Sequence, residues 1–126
     1  MITTEDKRRI CARAFFQDNQ DQYEDYHEAA AEMLSGSNVS DAFVDTVVEP
    51  FLRPEPGHVV VVNDKGHVAT VREKDFFFSP RTEMTQDDGE EMEALNYKFA
   101  EEFPDLSEIE LLQKMGWKII DSKEVR

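Results

Sequence analysis

Three histidines, one cysteine and 28 carboxylates against 14 Lys and Arg are the side chains through which this chain can do chemistry. His27 adjoins Glu28, the next residue, and Glu24, three residues before it, an imidazole–carboxylate set able in principle to hold a metal. Metal helices of the H-E-x-x-H kind need a second imidazole at i+4, and none is present, so an exposed helical histidine is expected. His58 and His67 open two apolar runs that read as a hairpin. With residues 63–66 as its loop, His67 faces about Val62 and His58 faces about Val71, too far apart to share an ion. No metal and no cofactor are expected.

Cys11 lies on an apolar helix face with no second cysteine in the chain, which suits a small core residue better than a nucleophile. One cysteine also excludes an internal disulfide, and a cytoplasmic setting is expected. The five glycines, at 36, 57, 66, 89 and 116, are scattered rather than gathered into a phosphate-cradling loop. Asp87-Asp88-Gly89-Glu90-Glu91 departs from the calcium-loop pattern and reads as a helix N-cap with an acid-rich first turn. No general acid–base pair stands out among so many carboxylates, so an enzyme is not expected. The alternative is a small hydrolase or transferase working between the hairpin and the helices through His58 or His67.

The placement of charge says more than its total of −14. Residues 17–50 carry nine carboxylates and no Lys or Arg, and residues 83–110 carry eleven carboxylates against Lys98 alone. On a helical wheel Asp18, Asp21, Asp25, Glu28 and Glu32 fall within roughly 80°, an edge about 21 Å long. Glu90, Glu93 and Glu101 likewise oppose Met92, Leu95, Phe99 and Phe103. Like charges at these spacings cost about 0.2–0.5 kcal/mol per pair, and a face serving solubility alone would usually intersperse cations.

The elements that must carry these stripes follow from period and punctuation, and 126 residues suit one domain. Thr3 or Thr4 caps a first helix with Ile10, Cys11, Ala14 and Phe15 inward. Asp18 to Asp21 interrupt it, and a second helix runs to Gly36. Ser40 or Asn38 starts a third, with Val44, Val48 and Phe51 at helical spacing, which Pro50 and the following turn stop. GHVVVV and HVATVRE around Asn63–Gly66 form the hairpin, and Asp75–Ser79 add a possible third strand. A polar loop leads to a helix from about Gly89 to Phe103. Ser107 and Glu110 then make a capping box for a helix of about nine residues closed by Gly116, and 117–121 form a last strand. The class is α+β, with five or so helices on one face of a small, mainly antiparallel sheet of three or four strands.

The longest apolar run, Val59–Val62, is too short to cross a bilayer, so no membrane insertion is expected. The negative charge disfavours direct nucleic-acid binding, which needs cations to neutralise phosphate. A basic protein partner, itself nucleic-acid-binding, is the expectation, met by the two carboxylate stripes. Phage-encoded blockers of nucleases and nuclease-immunity proteins share this size and acidity, a likeness of composition. A further alternative is a structural domain that self-associates through Phe76, Phe77 and Phe78.

Overall fold

The computed structural model describes residues 2–18 (side chains to residue 16), 25–35 and 39–120. In chain order these form α1 (Thr4–Asp18), α2 (Tyr26–Ser35), α3 (Asp41–Leu52), β1 (His58–Val62), β2 (Val68–Arg72), β3 (Phe78–Pro80), α4 (Gln86–Glu102), α5 (Glu108–Lys114) and β4 (Lys118–Ile120). The fold is α+β, and the four strands pair antiparallel throughout in the order β3-β2-β1-β4.

Side chains alternate across a strand, so β1 feeds two cores. Val60 and Val62, with Val68 and Ile120, pack against Ile10, Tyr26, Val44 and Val48 of the first three helices. Val61, with Ala69 and Val71, packs against Trp117, Met92, Ile109 and Leu112 on the other side. The helices therefore cover both faces of the sheet, not one. The physical reason is written in β1 itself: four consecutive valines leave no polar side for water, and each fully buried valine contributes about 1.5–3 kcal/mol.

Several boundaries move for local reasons. Asp25 accepts from the Glu28 amide at 3.0 Å, so it caps α2 instead of lying on a helical stripe. Thr3 and Asp6 bond each other's amides at 3.0 and 2.9 Å, a capping box at the start of α1. Pro50 lies inside α3, which runs on to Leu52. Helix α4 begins at Gln86, inside the expected loop, because Thr85 and Asp88 form its capping box. Helix α5 is seven residues long, with the expected Ser107–Glu110 box intact. The expected strand at Asp75–Ser79 shifts to Phe78–Pro80, since the Phe76 amide donates to the Arg72 carbonyl at 2.7 Å and Phe76 takes φ 59°, closing a turn. Of the last strand, residues 118–120 are paired with β1, and Asp121 lies outside the described residues.

The hairpin register also shifts by one residue. Val62 faces Val68 and His58 faces Arg72, while the Asn63 amide donates to the His67 carbonyl. Asn63 Oδ1 collects the amides of Lys65 and His67 at 3.0 and 2.9 Å, and Gly66 takes φ 76°. This holds one extra residue in the loop.

Two glycines give opposite predictions. A Cβ on Gly66 would stand 2.2 Å from the Arg9 carbonyl oxygen in a backbone region that disfavours side chains, so Gly66→Ala should cost more than about 3 kcal/mol. Gly89 lies within α4 with nothing within 4 Å of its added Cβ, so Gly89→Ala should stabilise by about 0.5–1 kcal/mol. Urea titration of both variants reads the difference, and equal midpoints would contradict this packing.

Candidate functional site

Only part of the first acidic stripe falls on the described residues. Asp18 ends α1 and its side chain is outside the described residues, as is the whole of Asp21; Asp25 is a cap; Glu28 and Glu32 lie exposed on α2. Asp18 belongs to α1, and Glu28 and Glu32 belong to α2. Many other acids have local work. Asp45 pairs with Lys7 and Asp41 with Arg8, at 2.9 and 2.8 Å. Arg8 also donates to the carbonyls of Met33 and Val39, closing the end of α2 against the start of α3.

The second block differs. Helix α4 spans 17 residues and buries none of them fully; Met92 packs half-buried against the sheet-side core, and Asp88, Leu95, Phe99 and Ala100 are also half-buried. Glu90, Glu93 and Glu101 are all exposed, as the sequence led us to expect. Glu90 accepts only the Gln86 amide group, at 3.3 Å, and neither Glu93 nor Glu101 has an ion pair among the described residues. Lys98, the one cation of the helix, lies 5.7 Å from the Phe99 ring centre rather than beside a carboxylate. Tyr97 is 69% exposed on the same helix. The arrangement is an acidic surface with an aromatic on it and almost no internal neutralisation.

A buried polar cluster, not foreseen in the sequence reading, lies where the hairpin loop meets the helices. Arg13, 4% exposed, sets its guanidinium 3.8 Å from the centre of the Tyr26 ring and donates from Nε and Nη2 to the Lys65 carbonyl at 3.2 and 2.9 Å. His67, 1% exposed, holds Nε2 3.2 Å from Asp88 Oδ2, out of line for a hydrogen bond. Burial and then the neighbouring Arg13 push the His67 pKa down to about 4, so the contact is not an ion pair at neutral pH. Burial opposes ionisation of Asp88, but the Thr85 hydrogen bonds and the charges of His67 and Arg13 outweigh it and hold the carboxyl below its ordinary value. Burial raises the Tyr26 hydroxyl to about 12 against the pull of Arg13. The only sequence signal for this cluster was a lone arginine among the apolar residues of α1.

A cleft of about 190 Å³ opens beside His67 and Asp88, between the hairpin loop and α4, where an enzymatic site was the alternative expectation. Neither His67 ring nitrogen reaches solvent or has a hydrogen-bond partner among the described residues. With both ring nitrogens enclosed, His67 packs the hairpin loop against α4. Lys65 and Glu91 at the same cleft are paired at 2.6 Å. His58 is at the far end of the hairpin with Nδ1 2.9 Å from the Pro56 carbonyl, and the two histidines share no site. Cys11 is wholly buried, and burial raises its thiol to about 11, which removes thiolate chemistry. Among the described residues no three His, Cys, Asp or Glu side chains gather to hold a metal ion, and no helix is long and apolar enough to cross a membrane.

Two measurements test the cluster. The unfolded chain protonates His67 near 6.5 and the folded chain near 4, so between those values the unfolded state binds the extra proton. Stability should therefore fall by on the order of 3 kcal/mol as pH drops through that window, with the losses from Asp6 and Asp88 coming at lower pH. His67→Asn should flatten the slope, and an unchanged slope would place the titration elsewhere. Arg13→Lys keeps the charge but loses the planar fork on Tyr26, and should cost about 2 kcal/mol in urea unfolding.

No known protein family, no curated protein and no solved structure matches this chain, so its functional reading rests on the geometry of these residues.

Proposed function

We propose that this chain is a protein-binding protein that occludes a basic, nucleic-acid-binding surface of a partner with the acidic outer face of α4. The observation that carries the reading is the exposed set Glu90, Glu93 and Glu101, none of them paired with a cation among the described residues, on a helix that buries no residue fully. Glu90 to Glu101 extend about 16 Å along the helix axis, enough to meet several cations in a row. Elsewhere Lys7, Arg8, Arg72 and Lys118 each sit against a carboxylate, so the fold neutralises acids where it needs them for structure. On α4 the repulsion is left standing, and a cationic partner would relieve it. The class of protein this describes is an inhibitor of the anti-defence or nuclease-immunity kind, acting by steric and electrostatic occlusion without a cofactor.

The test is retention of proteins from a bacterial lysate on the immobilised chain, in about 0.1 M and about 0.5 M salt, with duplex DNA as competitor. A basic nucleic-acid-binding protein should be held at low salt, released at high salt and displaced by the duplex. Reversal of Glu90 and Glu101 to Lys should slow its association at least about tenfold with little change in dissociation. Unchanged affinity after the reversal, or no specific retention at either salt, returns the acidic face to simple solvation.

A further inference from the structure

A second cavity, of about 260 Å³, lies on the opposite side of Met92 from the His67 cleft. Its floor is apolar: Val71 and Phe78 of the sheet, Met92 of α4 and Leu112 of α5. The Phe78 ring is fixed there by an edge-on contact with Trp117, with centres 5.4 Å apart. The rim is different. Glu93 on α4 and Glu108 on α5 stand at it from two different helices, both exposed and neither paired with a cation among the described residues.

The third side of the mouth is Phe76. It is 43% exposed, and the turn that follows β2 holds it at φ 59°, a conformation costly for an aromatic residue. Its neighbour Phe77 is already occupied: the Arg72 guanidinium lies 5.2 Å from that ring's centre, and Arg72 pairs with Asp75. Phe76 has no such cation among the described residues and lines the cavity instead.

A half-open cavity of this size, smaller than the roughly 300–1,000 Å³ of small-molecule sites, has room for one long side chain. Two unpaired carboxylates and an aromatic ring at its mouth select a cation with an apolar stem. We propose that this cavity receives an arginine side chain of the partner protein, the methylenes against Met92 and Leu112, the guanidinium between Glu93, Glu108 and the Phe76 ring. Arginine is favoured over lysine because its planar, weakly hydrated head stacks on an aromatic face and bonds two carboxylates at once. The inference rests on the occlusion reading and deepens it: the α4 face supplies attraction, and the cavity supplies discrimination.

Two probes separate the two ideas: a fluorescent, end-capped nona-arginine peptide and the nona-lysine peptide of equal charge, titrated into the full chain by anisotropy. A face that is only electrostatic binds both alike. With the cavity engaged, nona-arginine should bind at least about fivefold tighter, and its addition should shift the amide resonances of Val71, Asn96 and Leu112. Gly89→Leu extends into the cavity mouth from a position with open space around it and no change in charge, and should abolish the preference while nona-lysine binding stays as it was. Should Gly89→Leu not fold, the pair Glu93→Gln and Glu108→Gln should likewise remove the preference. Equal binding of the two peptides, or a preference that survives both variants, overturns the cavity and leaves the face. Failure of both peptides to bind overturns the occlusion reading together with the cavity. Sedimentation of the free chain reads the competing occupant: a dimer that dissociates in Gly89→Leu overturns the arginine assignment in favour of a second copy of this chain.

Discussion

The buried Arg13 guanidinium is the constraint around which the layers are arranged. A cation out of water is tolerated only when its donors and its charge are met, and three other parts of the chain meet this one. It leaves from α1, lies on the Tyr26 ring of α2, donates to the Lys65 carbonyl of the hairpin loop, and sits in the field of Asp88 on α4. Each contact fixes something else. The loop carbonyl position requires the tight Asn63–His67 turn, and that turn requires Gly66, whose Cα passes so close to the Arg9 carbonyl that no side chain fits. Asp88 in turn ties the acidic helix to a body it otherwise touches mainly through half-buried side chains.

That dependence explains which parts of the fold were legible. Helix caps were visible wherever the capping residue and its reciprocal acid stand three apart, as at Ser107 and Glu110, because the interaction is local. The Thr3 cap was legible on the same logic, whereas at Thr85–Asp88 the run Asp87-Asp88-Gly89 was itself read as the cap and start of the helix. The hairpin was legible in composition but off by one in register, since an asparagine side chain that bonds two amides of its own loop adds a residue that strand alternation does not reveal. The two-sided sheet stood in the unbroken valines of β1 but was read as hydrophobicity rather than as geometry. Phe76 escaped the expected strand because a left-handed residue in an apolar run has no signature in residue type.

The candidate surface was legible in part, for a related reason. Charge runs can be counted in a sequence, yet which acids cap helices, which meet cations and which face water alone is decided by tertiary pairing. Asp25, Asp41, Asp45 and Asp88 left the surface inventory that way, whereas Glu90, Glu93 and Glu101 remained. The cavity beneath Glu93 and Glu108 was not legible at all, since its walls come from β2, β3, α4 and α5, and only folding brings them together.

The strand order carries a consequence for how the protein is made. The central strand β1 has β2 on one edge within a few residues, but on its other edge it waits for β4: Val62 and Lys118 are partners 56 residues apart. During translation the hairpin and the three preceding helices can therefore assemble while the free edge of a valine-rich strand is still unpaired and the face of Val61 and Val71 still uncovered. Such an edge is a template for other chains. The interval ends only when Trp117 and Ile119–Ile120 leave the ribosome, so any pause or cleavage ahead of Trp117 leaves a nearly complete nascent domain in its most adhesive form.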